Sequence, residues 1–248
     1  MGGRLRTIGA GAGSPLLLLL HGLGATADVW EGWRPLLAER WPGRWVAPDL
    51  PGHGASAPLR RYSFGSLAAA VADLAGPGDR TVVLGHSLGG VVGLALGSGW
   101  FGPPVDLVVG LGIKVAWTAE ELDRSRALAA RPVQVFATRD EAVARHLRVS
   151  GLAGLLAPGD GAAAAGVREE GGSWRLALDP RAFGVGAPDL PGLLAACRAR
   201  VVLARGEADP MVSAGQLTAL RPEAVSLPGL GHNAHVEDPS AVLGLLTR

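Results

Sequence analysis

The chain has one cysteine, Cys197, and its 23 basic residues include only one lysine, Lys114. A single cysteine cannot close an intramolecular disulfide or build a zinc cluster, which argues against an oxidised secreted scaffold and for a reducing cytoplasmic setting. Charge of one sign is also lacking. The net charge is +1 with acids and bases interspersed, so nothing resembles the basic stripe that phosphate backbones require, and nucleic acid is not an expected partner. Long apolar runs are absent as well. Leu16 to Leu20 follows Arg4 and Arg6 in the manner of a signal peptide, but it is too short for a bilayer span or an export segment. No membrane association is expected. The lysine scarcity beside abundant Ala, Gly and Arg reads as genomic base bias.

What is present is apolar: 48% of the residues are hydrophobic, enough to bury one large core in a chain of this length. Short apolar runs alternate with segments of helical spacing, the pattern of a parallel sheet covered on both faces. Leu16–Leu20, Trp45–Ala47, Thr81–Leu84, Leu107–Val109, Val201–Ala204 and Val225–Leu227 read as strands. Val29–Arg40, Ser66–Ala75 and Leu88–Leu96 read as helices. Asp238-Pro239 is an N-cap followed by proline at the first helical position, opening a terminal helix that runs to about Thr247.

The alternation fails after Ile113. Residues 1–113 and 199–248 therefore read as the core, and 114–198 as an inserted cap or lid. Within the insertion, Thr118 with Glu121 and Thr138 with Glu141 have capping-box spacing. Val167 to Leu178, centred on Glu170-Gly171-Gly172-Ser173, reads as a hairpin, and Pro158 to Gly166 as a mobile loop.

The chemistry centres on Gly85-His86-Ser87-Leu88-Gly89, a G-x-S-x-G pattern between a strand and a helix. A nucleophile on so tight a turn is held above the sheet, and only small neighbours avoid a clash. The first turn of the helix then offers the Leu88 amide to a developing oxyanion. His21-Gly22-Leu23-Gly24 closes the run Leu16–Leu20 and places a second donor, the Leu23 amide, beside it. A serine needs a base and a group to orient that base. Asp209, in Arg205-Gly206-Glu207-Ala208-Asp209-Pro210 after a strand, is the expected acid, with Glu207 as local rival. His232, in Pro228-Gly229-Leu230-Gly231-His232, is the expected base, ahead of His146 in the insertion and of His235, which with Glu237 is expected either to line the pocket rim or to support the loop. His21 reads as a hydrogen-bonded structural residue.

These motifs resemble the α/β-hydrolase superfamily, in its compact branch of esterase-like, haloperoxidase-like and C-C hydrolase-like enzymes. The resemblance also takes in Asp49-Leu50-Pro51-Gly52-His53-Gly54-Ala55-Ser56, and it covers residues 15–113 and 199–248. It implies the α/β-hydrolase fold, a mostly parallel sheet with helices on both faces and a cap inserted near residue 110, and it makes Asp49 and His53 organisers of loops. The N-terminal portion leaves room for at most one strand before Leu16, so a first strand of larger members is expected to be missing.

The expected activity is serine hydrolysis by acyl transfer on a small, mainly apolar ester, thioester or lactone, with no cofactor and no metal. Trp117, Phe136 and Trp174 are the aromatic candidates for substrate contact. Arg124, Arg126, Arg139 and Arg148 are candidates for contact with a substrate carboxylate. The alternatives are C-C bond hydrolysis or lyase chemistry with the same triad, and a non-enzymatic ligand-binding member of the fold. The expected partner is a small acyl substrate, and the expected state is a monomer or homodimer.

Overall fold

The computed structural model describes residues 4–76 and 78–247. Met1–Gly3, Pro77 and Arg248, all inside the expected core segments, lie outside the described residues. The chain opens with β1 (Thr7–Ala10) and β2 (Leu16–Leu20), then a 3-10 turn over Ala27–Trp33 that runs into α1 (Arg34–Arg40). Next come β3 (Arg44–Pro48), α2 (Phe64–Ala72), β4 (Thr81–His86), α3 (Leu88–Gly97) and β5 (Leu107–Leu111). The following segment carries α4 (Ala119–Ala129), β6 (Val135–Phe136), α5 (Arg139–Val149), α6 (Gly161–Ala165), β7 (Val167–Glu170), β8 (Ser173–Leu176), a 3-10 turn over Pro180–Val185 and α7 (Leu190–Ala196). The chain closes with β9 (Arg200–Gly206), α8 (Ala214–Leu220), β10 (Val225–Leu227), α9 (Ala234–Glu237), α10 (Pro239–Leu243) and a 3-10 turn over Gly244–Thr247.

Seven strands form one sheet in the order β1-β3-β2-β4-β5-β9-β10. All pairs are parallel except β1 with β3, so β1 is an antiparallel edge and, among the described residues, the single strand that precedes Leu16. The five leucines of β2 are fully buried because both faces of the sheet are covered. Leu17 and Leu19 enter a core with Trp30, Trp33, Leu37 and Val242. Leu16, Leu18 and Leu20 enter a second core with Leu67, Val71, Leu94 and Leu217. The strand period of two thus feeds two cores from one continuous apolar run, each leucine contributing roughly 1.5–3 kcal/mol by burial.

Between β5 and β9, a second sheet runs β6-β8-β7, with Phe136 opposite Trp174 across an antiparallel pair. Gly171 and Gly172 make the two-residue turn of the β7–β8 hairpin with φ of 61° and 77°, the mirror-image turn that matches strand twist. The capping boxes at Thr118 and Thr138 open α4 and α5. Helix α5 buries Ala142, Val143 and Leu147, whereas α4 buries none of its residues. Helix α7 packs on α3 and puts Leu190 into the sheet's second core.

Three expectations on secondary structure are corrected. Pro158 to Gly166 is not a loop throughout: its alanine run, the residue most favourable to helix, forms α6 and buries Ala163. The helix expected from Val29 begins as a 3-10 turn and becomes α-helical only at Arg34, with Pro35 in its first turn. The terminal helix gives way at Gly244 to a 3-10 turn, glycine being a poor helix former.

The packing of α3 on the sheet depends on glycine. A methyl group at Gly89 would lie 2.3 Å from the Leu20 carbonyl oxygen, and one at Gly85 would lie 2.2 Å from that of Gly89. Gly89→Ala is therefore expected to lower the free energy of unfolding in urea by about 1–3 kcal/mol through overpacking. Gly215→Ala, in α8 with open space around it, should raise it by up to about 1 kcal/mol. Equal effects of the two substitutions would contradict this account of the packing.

Candidate active site

The backbone at Ser87 has φ 50° and ψ −113°, and Ser87 is the only described non-glycine residue with positive φ. Its amide donates to the Leu111 carbonyl at 2.8 Å. The end of β4 is thereby fastened to the end of β5, and the chain must turn sharply into α3. Such a conformation is costly and persists only where the surrounding structure fixes it; here the glycine contacts of α3 do so.

The loop after β2 lies against this turn. A methyl group at Gly22 would meet His86 Nδ1 at 2.7 Å and Ser87 Cβ at 3.4 Å. The Leu88 amide is in the first turn of α3, where no helical carbonyl can reach it. The Leu23 amide has no hydrogen-bond partner among the described residues. Both expected oxyanion donors therefore flank Ser87 with uncommitted N–H groups.

His232 Nδ1 donates to Asp209 Oδ2 at 2.9 Å, and Asp209 Oδ1 accepts from the Met211 amide at 2.8 Å. The Asp209 side chain is fully buried. With Nδ1 committed to a carboxylate, His232 keeps Nε2 as its proton acceptor. The imidazole stands beside the turn at Ser87: His86 Nε2 donates to the His232 carbonyl at 2.9 Å, and the two rings lie 4.7 Å apart. Gly112, just past β5, has φ 63°, and a side chain there would crowd the His232 ring at 3.3 Å.

The rivals have other partners. Glu207 accepts from the Gly229 amide at 3.0 Å and Glu237 from the Gly231 amide at 2.7 Å, so both acids hold the histidine loop. Arg205 is buried and donates to the carbonyls of Glu207 and Val212, both at 2.6 Å, which shapes the Asp209 loop from within. His235 does not line the cavity at Ser87. It is 1% exposed and stacked between Trp30 and His86, with ring separations of 4.6 and 4.3 Å. His146 is buried beneath α6, where a methyl group on Gly166 would overlap its ring.

His21 accepts from the Leu50 amide at Nε2 and donates from Nδ1 to the Gly22 carbonyl. It is a buried structural link between the loops after β2 and β3. Asp49 accepts from the amides of Ala27 and Ala55 and fixes the turns on either side.

Ser87 opens onto a cavity of about 70 Å³ lined by Leu23, Phe64, Leu88, Val91, Lys114 and Trp117, and by Val185, Gly186 and Pro188 on one wall. This is well below the usual volume of drug-sized sites. Trp117 is at the cavity. Phe136 and Trp174 do not line it: they face each other across the small sheet and pack on the core of α5. Phe64, Val91, Lys114, Val185, Gly186 and Pro188 are lining residues that the sequence motifs do not reveal. Lys114 follows the carboxyl end of β5 by three residues, and that topological position was the available signal.

A model of the alpha/beta hydrolase family matches residues 17–245, and the chain belongs to this family. It is 42% identical over 88 residues to an uncharacterized protein of Mycobacterium tuberculosis, covering 34% of this chain and 25% of that one. It is 42% identical over 82 residues to a pimeloyl-[acyl-carrier protein] methyl ester esterase of Edwardsiella ictaluri, covering 33% and 30%. The chain spans about a quarter to a third of the length of these curated relatives. Among solved structures, it resembles E-2-(acetamidomethylene)succinate hydrolase with a TM-score of 0.78 at 26% identity, covering 98% of this chain and 93% of that one. No helix among the described residues is long and apolar enough to cross a membrane.

The histidines around the site set a pH dependence of stability. Burial lowers His21 and His146 to about 4, and His53 and His235 to about 3. Each is neutral when folded but takes a proton near pH 6.5 when unfolded, so the unfolded state binds more protons between these values and stability falls as pH drops. The expected loss is about 1.4 kcal/mol per pH unit for each such histidine below about pH 6. His235→Phe should flatten the slope of unfolding free energy between pH 6 and 5 by one histidine's share. An unchanged slope would contradict the neutral burial of His235.

Proposed function

We propose that the chain is a serine hydrolase acting by acyl transfer on a small, mainly apolar carboxylic ester, thioester or lactone. The observation that carries this reading is that His86, next to Ser87 on its positive-φ turn, holds the backbone of His232, whose ring in turn donates to Asp209 at 2.9 Å. Family membership supports it. So does the likeness over a third of the chain to a methyl ester esterase.

In the first step, Ser87 Oγ bonds to the substrate carbonyl carbon while its proton passes to His232 Nε2, and the buried Asp209 carboxylate stabilises the imidazolium. The carbonyl oxygen, now negative, is held by the Leu23 and Leu88 amides. Removing one such donor typically costs about a hundredfold to a thousandfold in rate. Collapse breaks the bond to the leaving oxygen or sulfur, which takes the proton from His232. Water then adds to the acyl-enzyme by the same route in reverse, giving the carboxylic acid and free Ser87. The segment 114–198 serves as the cap, since Lys114, Trp117, Val185, Gly186 and Pro188 wall the cavity. The small cavity favours short acyl groups.

A fluorophosphonate probe followed by peptide mass mapping should label Ser87, and Ser87→Ala should abolish the label. Asp209→Asn should lower kcat on a short-chain ester by up to about four orders of magnitude, because the imidazole loses its orienting carboxylate. No labelling of folded protein, or full activity in Asp209→Asn, would sink the proposal.

A further inference from the structure

The cavity at Ser87 is apolar except for the Ser87 hydroxyl and one charged side chain, Lys114, the only lysine of the chain. We infer that Lys114 is a specificity-determining residue, and that the preferred substrate is a short acyl ester or thioester whose acyl chain carries a carboxylate. This rests on the acyl-transfer reading of Ser87.

An ammonium at an apolar wall is costly unless something holds it there. Two groups do so: the Lys114 side chain is 16% exposed, its Nζ lies 5.1 Å from the Trp117 ring centre, and it forms an ion pair with Glu121. An ammonium has three N–H donors. Among the described residues Lys114 donates only to Glu121, leaving two donors for a ligand.

The charge of Glu121 is not spent on Lys114 alone. Its second oxygen accepts from the Thr118 amide at 3.0 Å, in the capping box of the eleven-residue helix α4, whose N-terminal partial positive charge attracts the same carboxylate. The other first-turn acid, Glu120, is exposed and is screened by solvent. The cavity therefore retains positive character at Lys114. The rest of its lining is apolar, which strengthens a charge-assisted hydrogen bond to an incoming carboxylate. The four arginines of α4 and α5 that the sequence offered for this role are absent from the cavity lining.

The probes are monomethyl glutarate and methyl pentanoate, which have acyl chains of equal length and differ in the terminal carboxylate. The quantity read is the ratio of their kcat/KM values in a pH-stat assay. Wild-type protein should favour the acid ester, and Lys114→Met should reduce that ratio at least about tenfold, in line with loss of a charged hydrogen bond. Lys114→Arg should restore much of it, and Lys114→Gln serves if the methionine variant does not fold. Glutarate should also protect Ser87 from a fluorophosphonate in wild type and not in the methionine or glutamine variant. A ratio unchanged by loss of the charge, with Ser87 still labelled, overturns this inference alone. Failure to label Ser87 in wild type overturns the acyl-transfer reading and this inference together.

Discussion

The close approach of α3 to the ends of β2 and β4 is the constraint on which the rest of the site depends. Gly85 and Gly89 leave so little space that no side chain fits at either position, and the helix begins immediately after the strand. Ser87 then has no relaxed conformation open to it: with its amide bound to Leu111, it takes φ 50°. The strain is sustained by the burial of all ten residues of α3, whose apolar contacts with the second core far exceed the few kcal/mol that one unfavourable backbone angle costs. The loop after β2 can lie against the turn only because Gly22 also lacks a side chain.

The placement of the Asp209–His232 pair follows from the same sheet. Asp209 lies after β9 and His232 after β10, neighbouring strands whose carboxyl ends point the same way. Glu207, Glu237 and Arg205 each hydrogen-bond to the main chain of the two loops, so these charged groups around the pair are themselves engaged. His86 adds a contact from the turn itself. The residue beside the candidate nucleophile thus braces the backbone of the candidate base.

Much of this was legible in the sequence because it is written in local patterns. A run of five leucines, glycines flanking a serine, and an acid and a histidine each following an apolar run have few foldings in common. The capping boxes at Thr118 and Thr138 and the Gly171-Gly172 turn were equally local. What the sequence concealed was tertiary. Phe136 and Trp174 look like pocket residues until the register of the small sheet turns them toward each other. His235 looks like a residue at the rim of the Ser87 cavity until Trp30 and His86 enclose it. The alanine run after Asp160 resembles a loop because glycines and a proline bound it, and its helix gains its support from burial of Ala163 against the turn at Ala27–Trp33. Lys114 has no motif at all; only the position of its strand end relates it to Ser87.

Gly206 and Gly231 meet so closely that a methyl on the first would fall 2.1 Å from the carbonyl of the second. The acid loop and the histidine loop are therefore joined by main chain, near the two side chains they carry. Their alignment belongs chiefly to the scaffold; residues 114–198 reach it through the Gly151 carbonyl, which accepts from Asn233 at 2.9 Å, while Lys114 and Trp117 wall the cavity. The chain in this way separates two kinds of inheritance: substitutions among Lys114, Trp117 and Val185 to Pro188 can reshape what enters the cavity while the acid–imidazole alignment stays as the sheet edge made it.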